Sequence, residues 1–308
     1  MTVTPLKNEA VVELSAAVRV LYPYASHQLA VGGLNYHYVD EGHGEPLLMV
    51  HGNPTWSFYY RGLINALKAN FRTIAPDHIG CGLSDKPDDD HYAFTLEQRV
   101  ADLEALVEHL GLGDNITLVL HDWGGMIGMA YASRHPHKIK RLILGNTAAF
   151  KLPAAKPLPL SLRLCRSGAF GPLLVRGLNA FSRGAAATSV KRQPMTKAVR
   201  DGYLAPYDNW HNRRAVLRFV QDIPLGPRDH SYDLVMSVEA ALPTFRRTPT
   251  LILWGAQDFV FDDYFLETWI KAMPHAEVHR FADAGHYIFE DASEEIMPLV
   301  QSFLDRHP

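Results

Sequence analysis

Four short apolar runs set the frame of the chain: Pro46–Val50 (PLLMV), Arg72–Pro76 (RTIAP), Ile116–Leu120 (ITLVL) and Arg141–Leu144 (RLIL). Each ends at Gly, Pro, Asp or His, as strands buried on both faces of a parallel sheet do. Two further strand candidates come late, at Thr250–Trp254 (TLILW) and Glu277–Phe281 (EVHRF). Thr95–Leu110 repeats its apolar residues at helical spacing, with Thr95 at the N-cap position and Gly111 after the end. A closing amphipathic helix is predicted over Glu294–Leu304. Between Phe150 and Pro243 strand-like runs vanish, and Pro, Arg and Leu dominate helical pieces such as LPLSLRLCRSGAFGPLLVRGLNAF. The pattern predicts an α/β protein: a mostly parallel sheet flanked by helices, with residues 25–150 and 243–308 as core and 151–242 as an inserted helical cap. There is no internal repeat, and the short acidic run Asp88-Asp89-Asp90 reads as a solvated loop.

At 308 residues the chain can bury one large core, and a hydrophobic content of 47% with 20% charge places it among soluble globular proteins. The N-terminal MTVTPLKNEAVVELSAAVRVLYPY has acids interrupting its apolar run and so lacks a signal peptide's continuous apolar region. No stretch reaches the roughly 18 apolar residues of a spanning helix. The two cysteines, Cys81 and Cys165, imply no disulfide framework, so a cytoplasmic location is expected. A net charge of −3 gives no case for nucleic-acid binding, yet the charge is unevenly spread. From Lys151 to Arg218 there are 13 Lys and Arg against two acids, a local +11 that leaves −14 for the remainder. This is either a solvated helical surface or a face for an acidic partner, an anionic lipid surface or a carboxylate-bearing substrate.

The candidate chemistry starts at Leu118–Gly128 (LVLHDWGGMIG), a buried strand running through a glycine turn into a helix of small residues. Enzymes present a nucleophile at such a turn, where small neighbours relieve crowding. Gly124 and Gly125 meet that need, but Leu120 stands where the first glycine of G-x-S-x-G belongs and Asp122 where serine does. The other reading of Asp122 is an N-cap on an ordinary helix. His51-Gly52-Asn53-Pro54 follows the first sheet strand, where Asn53 would supply an oxyanion-hole N–H. His286, in Ala284-Gly285-His286 after the last strand, sits where a general base is expected. Asp258, in WGAQD after Thr250–Trp254, is the acid to orient it; Asp262 and Asp263 read as surface residues. The chain order Asp122, Asp258, His286 matches that expected of a nucleophile, acid and base in this architecture.

A carboxylate attacks saturated carbon better than carbonyl carbon, and the product is an alkyl ester with the enzyme. Histidine would then activate water or manage a later proton. Trp123 offers an indole N–H and Asn53 an amide NH₂, two neutral donors suited to a departing halide or carboxylate. No metal motif, phosphate loop or dinucleotide fingerprint occurs, so no cofactor is expected.

HGNPTW (51–56), DHIGCGLSDKP (77–87), HDWGG (121–125), WGAQDFVF (254–261) and AGHYIFED (284–291) resemble the blocks of the haloalkane dehalogenase group, which has the α/β-hydrolase fold. That resemblance implies Asp122 as nucleophile, His286 as base, Asp258 as acid, and Asn53 with Trp123 as the leaving-group pair. One subgroup carries its acid after the preceding strand, where this chain has Asn146. NTAAF (146–150), APYDNW (205–210) and QDIPL (221–225) look like the β-lactone decarboxylases of bacterial long-chain olefin biosynthesis, a similarity spanning roughly residues 25–306. It implies conversion of a cis-3-alkyl-4-alkyloxetan-2-one to a cis-alkene and CO₂. Trp56, Phe150, Tyr207 and Trp210 are then candidates for contact with a hydrophobic substrate. The basic cap would face olefin-biosynthesis partner enzymes or a membrane surface. Whether Asp122 attacks the ring carbon or the carbonyl stays open. Haloalkane dehalogenation is the alternative, and an epoxide hydrolase, with Tyr203 and Tyr207 as acids, or an inactive binding scaffold rank below it.

Overall fold

A computed structural model describes residues 12–308. The signal-peptide reading falls partly on residues 1–11, which lie outside the described residues. Eight strands form one sheet: β1 (His27–Val31), β2 (Leu34–Glu41), β3 (Pro46–Val50), β4 (Arg72–Pro76), β5 (Ile116–Asp122), β6 (Ile139–Thr147), β7 (Thr250–Gly255) and β8 (Glu277–Phe281). Their order is β1-β2-β4-β3-β5-β6-β7-β8, antiparallel at β1–β2 and β2–β4 and parallel from β4 onward.

The apolar runs are the parallel strands, and their continuity has a direct cause. Leu48, Val50, Leu118, Leu120, Leu142, Leu144, Ile252 and Trp254 point into one buried cluster. Their alternates Leu47, Met49, Val119, Ile143, Leu251 and Leu253 point into another on the opposite face. With both faces covered by helices, neither parity of residue can be polar. The antiparallel β1 and β2 escaped the apolar pattern. β1 alternates between half-buried and exposed positions, and β2 mixes Asn35, His37, Asp40 and Glu41 with its tyrosines. A two-residue turn at Gly32-Gly33, both at positive φ, joins them.

Before β6 the helices are α1 (Ala16–Leu21), α2 (Arg61–Leu67), α3 (Leu96–His109) and α4 (Trp123–Arg134). Thr95 caps α3 by accepting from the Gln98 N–H, and Gly111 follows at φ 59. Between β6 and β7 come α5 (Leu160–Arg166), a π-helical turn (Pro172–Gly177), α6 (Ala180–Thr188), α7 (Lys197–Leu204), α8 (Arg214–Gln221) and α9 (Tyr232–Ala241). After β7 lie α10 (Asp263–Ala272), α11 (Ile288–Asp291) and α12 (Ser293–Arg306). The insert has its own small apolar cluster, built on Cys165, Val175, Tyr207, Val216, Leu217 and Val220.

Within the span expected as the insert, 151–242, α9 packs on α4, and its Val235 and Val238 belong to the main core. The loop at Asp88-Asp89-Asp90 is exposed at Asp89 and Asp90, and Asp89 also pairs with Arg214 (2.9 Å) and Arg218 (2.7 Å) of α8, tying the cap to the core. A second tie is buried: Arg99 of α3 lies 3.6 Å from Asp222 and 3.6 Å from the Phe219 ring centroid. Among the described residues no helix is long and apolar enough to cross a membrane.

The turn between β5 and α4 is the tightest point of the fold. Asp122 sits at φ 52, ψ −125, a backbone region that costs a non-glycine residue on the order of 1–3 kcal/mol. A Cβ on Gly124 would stand 1.9 Å from the Val50 carbonyl oxygen, and one on Gly125 1.9 Å from Thr147 Oγ1. Leu120 replaces the usual first glycine because room is made elsewhere: its side chain lies against Gly128, where a Cβ would come within 2.3 Å. Gly124→Ala is therefore expected to lower unfolding free energy by about 1–3 kcal/mol through overpacking against rigid backbone. Gly113→Ala, with nothing within 4 Å of the added carbon, should stay within about 0.5 kcal/mol of the parent. Chemical denaturation of both proteins tests this, and equal midpoints would contradict it.

Candidate active site

Asp122 ends β5 at the carboxyl edge of the sheet, and α4 starts at the next residue, so its carboxylate lies at a helix N-terminus. Its Oδ1 accepts from the Asn53 backbone N–H at 2.6 Å, and the Trp123 backbone N–H also supports it. This approach explains the HG pair of HGNP: a Cβ on Gly52 would lie 2.0 Å from Asp122 Oδ1. His51 fixes the same loop. Its Nδ1–H donates to the Gly52 carbonyl (2.7 Å), while Nε2 accepts from the His78 N–H (3.1 Å). Burial drives the His51 pKa down to about 4, so the ring is neutral and can accept.

His286 stands across from Asp122, with Nε2 3.7 Å from Oδ2, too far for a direct hydrogen bond. Its Nδ1–H donates to Asp258 Oδ2 at 2.7 Å. Asp258 is nearly fully buried and is held by the Val260 N–H (2.7 Å) and by Asn146 Nδ2 (3.0 Å). Asn146 also accepts from the Gly255 N–H at 2.7 Å, so one amide locks the acid to the end of β7. Sequence reasoning singled out Asn146 for not being acidic and as the start of NTAAF, not as a partner of Asp258. What makes it functional is its reach across to Asp258, which no local pattern encodes. His121 was also missed: its ring packs on His286 with centroids 4.7 Å apart, and its Nε2–H donates to the His286 carbonyl at 2.8 Å. Burial, aided by the neighbouring His286, keeps the His121 pKa well below normal and its ring neutral.

Asp122 and His286 shift each other's protonation. Burial raises the Asp122 pKa, opposed by the His286 charge and the N–H groups of Asn53 and Trp123. For His286 burial works downward, yet the charge and hydrogen bond of Asp258, with the charge of Asp122, leave its pKa above the ordinary value. The structure thus brings Asp122, His286 and Asp258 into one chain of contacts.

Asp122 and His286 line a cavity of about 490 Å³ between core and cap, with walls from Phe150, Leu162, Leu174, Phe181, Ile223 and Phe265. Trp123 and Asn53 line it too. The Trp123 indole N–H has no acceptor among the described residues, whereas Asn53 Nδ2 donates to the Val216 carbonyl of α8 at 3.2 Å. Asn53 therefore holds the cap with part of the amide expected to serve a leaving group, and its backbone N–H is already taken by Asp122. Of the four residues expected at the substrate, Phe150 lines the cavity and the others do not. Trp56 is buried behind it, donating to the Gly202 carbonyl (3.0 Å) and packed on Tyr22 and Phe58. Tyr207 is used up in the cap–core seam, its hydroxyl on the Thr55 carbonyl at 3.2 Å. Trp210 is half exposed on the outer cap, with the Arg176 guanidinium 4.4 Å from its ring. Tyr203 bonds Glu290 (2.8 Å) and also misses the cavity, so the acidic hydroxyls that an epoxide hydrolase needs are not on this wall. Among the described residues no group of three His, Cys, Asp or Glu is arranged to hold a metal.

Comparison with known proteins agrees with this architecture. Residues 45–164 and 158–293 match the family described as alpha/beta hydrolase fold. A Shewanella oneidensis protein named cis-3-alkyl-4-alkyloxetan-2-one decarboxylase is 58% identical, covering 92% of this chain and 89% of its own. A Mycobacterium bovis protein named haloalkane dehalogenase 2 is 34% identical over 91% of this chain and 95% of its own. The crystal structure of the haloalkane dehalogenase DatA from Agrobacterium tumefaciens superposes with a TM-score of 0.82 at 26% identity, covering 92% and 97% of the two chains.

The histidine's elevated pKa has a definite sign. The folded protein binds this proton more tightly than the unfolded chain does. Stability from it is therefore complete below the ordinary histidine value of about 6.5 and fades as pH rises through the folded value. In an NMR titration the His286 ring should show a midpoint above about 6.5, and Asp258→Asn should move it downward. A midpoint unmoved by that substitution would show that Asp258 does not set the charge of the ring.

Proposed function

The chain belongs to the α/β-hydrolase fold family, and from that premise we propose that it converts cis-3-alkyl-4-alkyloxetan-2-ones to cis-alkenes and CO₂, an olefin-forming decarboxylation. The observation that carries the reading is a carboxylate at the nucleophile turn, facing an apolar cavity beside an indole N–H that no group among the described residues claims. The decarboxylase relative at 58% identity supports the lactone as substrate.

Asp122 acts as nucleophile through Oδ2, since Oδ1 is tied to Asn53. Attack at the saturated C4, opposite the ring oxygen, forms the Asp122–C4 ester bond and breaks C4–O. The ring oxygen leaves as a carboxylate still attached through C3. Trp123, with the remaining amide N–H of Asn53, receives that charge. In the second step the C3–carboxylate bond gives its electron pair to the C3=C4 double bond. CO₂ departs, and the C4–O pair returns to Asp122. Inversion at C4 followed by anti elimination keeps both alkyl groups on one side, which yields the cis-alkene. The sequence consumes no water and no net proton. His286, held by Asp258, supplies positive charge beside Asp122 as its carboxylate is released.

Hydrolytic dehalogenation is the second reading, favoured by the same unclaimed indole N–H and by the 34% relative. It would place a water in the 3.7 Å gap between His286 and Asp122 to cleave an alkyl ester. Offering the protein a long-chain cis-β-lactone and a 1-haloalkane panel in ¹⁸O-water separates the two. The lactone should give alkene and CO₂ over many turnovers with no label in Asp122. Sustained halide release, with label entering Asp122 and no alkene from the lactone, would overturn the proposal. Asp122→Asn should lower turnover at least about 10³-fold; an active variant would remove Asp122 from the reaction.

A further inference from the structure

Large hydrophobic side chains are exposed in an uneven way. Twelve such residues are exposed among those described, and five of them, Leu160, Leu164, Phe170, Leu173 and Leu178, fall on α5, the π-helical turn and their flanks. Trp210 joins this patch, because a Cβ on Gly177 would touch both Leu173 and Trp210. The same stretch holds no acid of its own from Lys151 to Arg200, although Lys156, Arg166, Arg192 and Lys197 reach carboxylates of other segments. Arg163 and Arg183 are exposed and have no carboxylate partner among the described residues. Arg176 lies over the Trp210 ring and donates only to the Trp210 carbonyl.

We propose that this face of the cap seats on an anionic lipid surface. Exposed leucines and aromatics flanked by arginines are the composition of an interfacial segment, whose apolar side chains enter the acyl boundary while its cations meet lipid phosphates. Charge complementarity selects the occupant. A soluble polyanion such as nucleic acid would satisfy the arginines and leave the leucines in water, whereas an anionic bilayer satisfies both. Six of the 13 cations in residues 151–218 are paired with carboxylates, and the charge this face offers to such a surface is carried by Arg163, Arg176 and Arg183. The patch is continuous with the interior, since Leu164 is exposed outside and lines the cavity within, alongside Leu158, Leu162 and Leu174. If the substrate is the dialkyl lactone, a bilayer is where it partitions, and it passes from lipid to cavity beside Leu164. That last step rests on the proposed function; lipid binding itself does not, and it is measured without turnover.

The test is flotation of the full chain with vesicles of phosphatidylcholine alone or with about one third phosphatidylglycerol. The protein should float with the anionic vesicles, remain behind with neutral ones and be released by high salt. Phe170→Glu/Leu173→Glu and Arg163→Glu/Arg183→Glu should each weaken binding at least about tenfold, at roughly fivefold for every charge step near the surface. Both variants should keep the parent's thermal unfolding and its turnover of detergent-dispersed lactone. Failure to float with anionic vesicles, or variants that float as the parent does, would overturn the proposal. So would a self-associated parent, by sedimentation without lipid, that Phe170→Glu/Leu173→Glu makes monomeric, because the face would then belong to a second copy. Lipid binding without lactone turnover would instead overturn the proposed function alone.

Discussion

Asp122 leaves β5 in a backbone conformation that no side chain favours, and the surrounding structure is shaped to hold it there. Glycines at 52, 124 and 125 occupy sites where a Cβ would strike Asp122, the Val50 carbonyl or Thr147. Thr147 Oγ1 donates to the Asp122 carbonyl at 2.5 Å, and the Asn53 N–H bonds its carboxylate. The strain aims a charged group out of the sheet into an apolar cavity, where a lone carboxylate would be costly. Two backbone N–H groups and His286 offset that cost, so the geometry that strains the turn also stabilises the charge.

The rest of the site follows from the end of a parallel sheet. β5, β6 and β7 lie side by side; Asp122 and Asn146, in the last residues of β5 and β6, and Asp258, just past β7, meet at their carboxyl edge with His286 from beyond β8. An amide at 146 converts a position that could hold an acid into one that orients an acid. It brings no second negative charge near His286, which keeps the Asp258–His286 pair a simple one. The cap closes the space from above. It is fastened by Asp89 to Arg214 and Arg218, by Arg99 to Asp222, and by Asn53 to Val216. Asn53 touches both Asp122 and the cap, so one residue joins the carboxylate at the turn to the cover above it.

The parallel strands were legible because burial on both faces leaves an unbroken apolar run, and the turn residues because tight turns demand glycine. β1 and β2 were not, since an edge hairpin with one wet face mixes polar and apolar residues. Asp122, Asp258 and His286 could be chosen by their order after successive strands. The aromatic residues could not. Trp56, Tyr207 and Trp210 carry the composition of a substrate pocket, yet two are spent on buried backbone carbonyls and one faces outward. The ion pairs of Asp89 were not legible either, because its partners lie more than a hundred residues away.

The sequence by itself determined the sheet, the position of the glycine turn after β5 and the carboxylate at its tip, because each is governed by neighbours within a few residues. The tertiary structure decided which donors remain available to a substrate, how the acid is held and which aromatics face the cavity. Those properties depend on what each polar group meets after distant segments have packed, and a hydrogen bond already made within the protein is no longer available for chemistry.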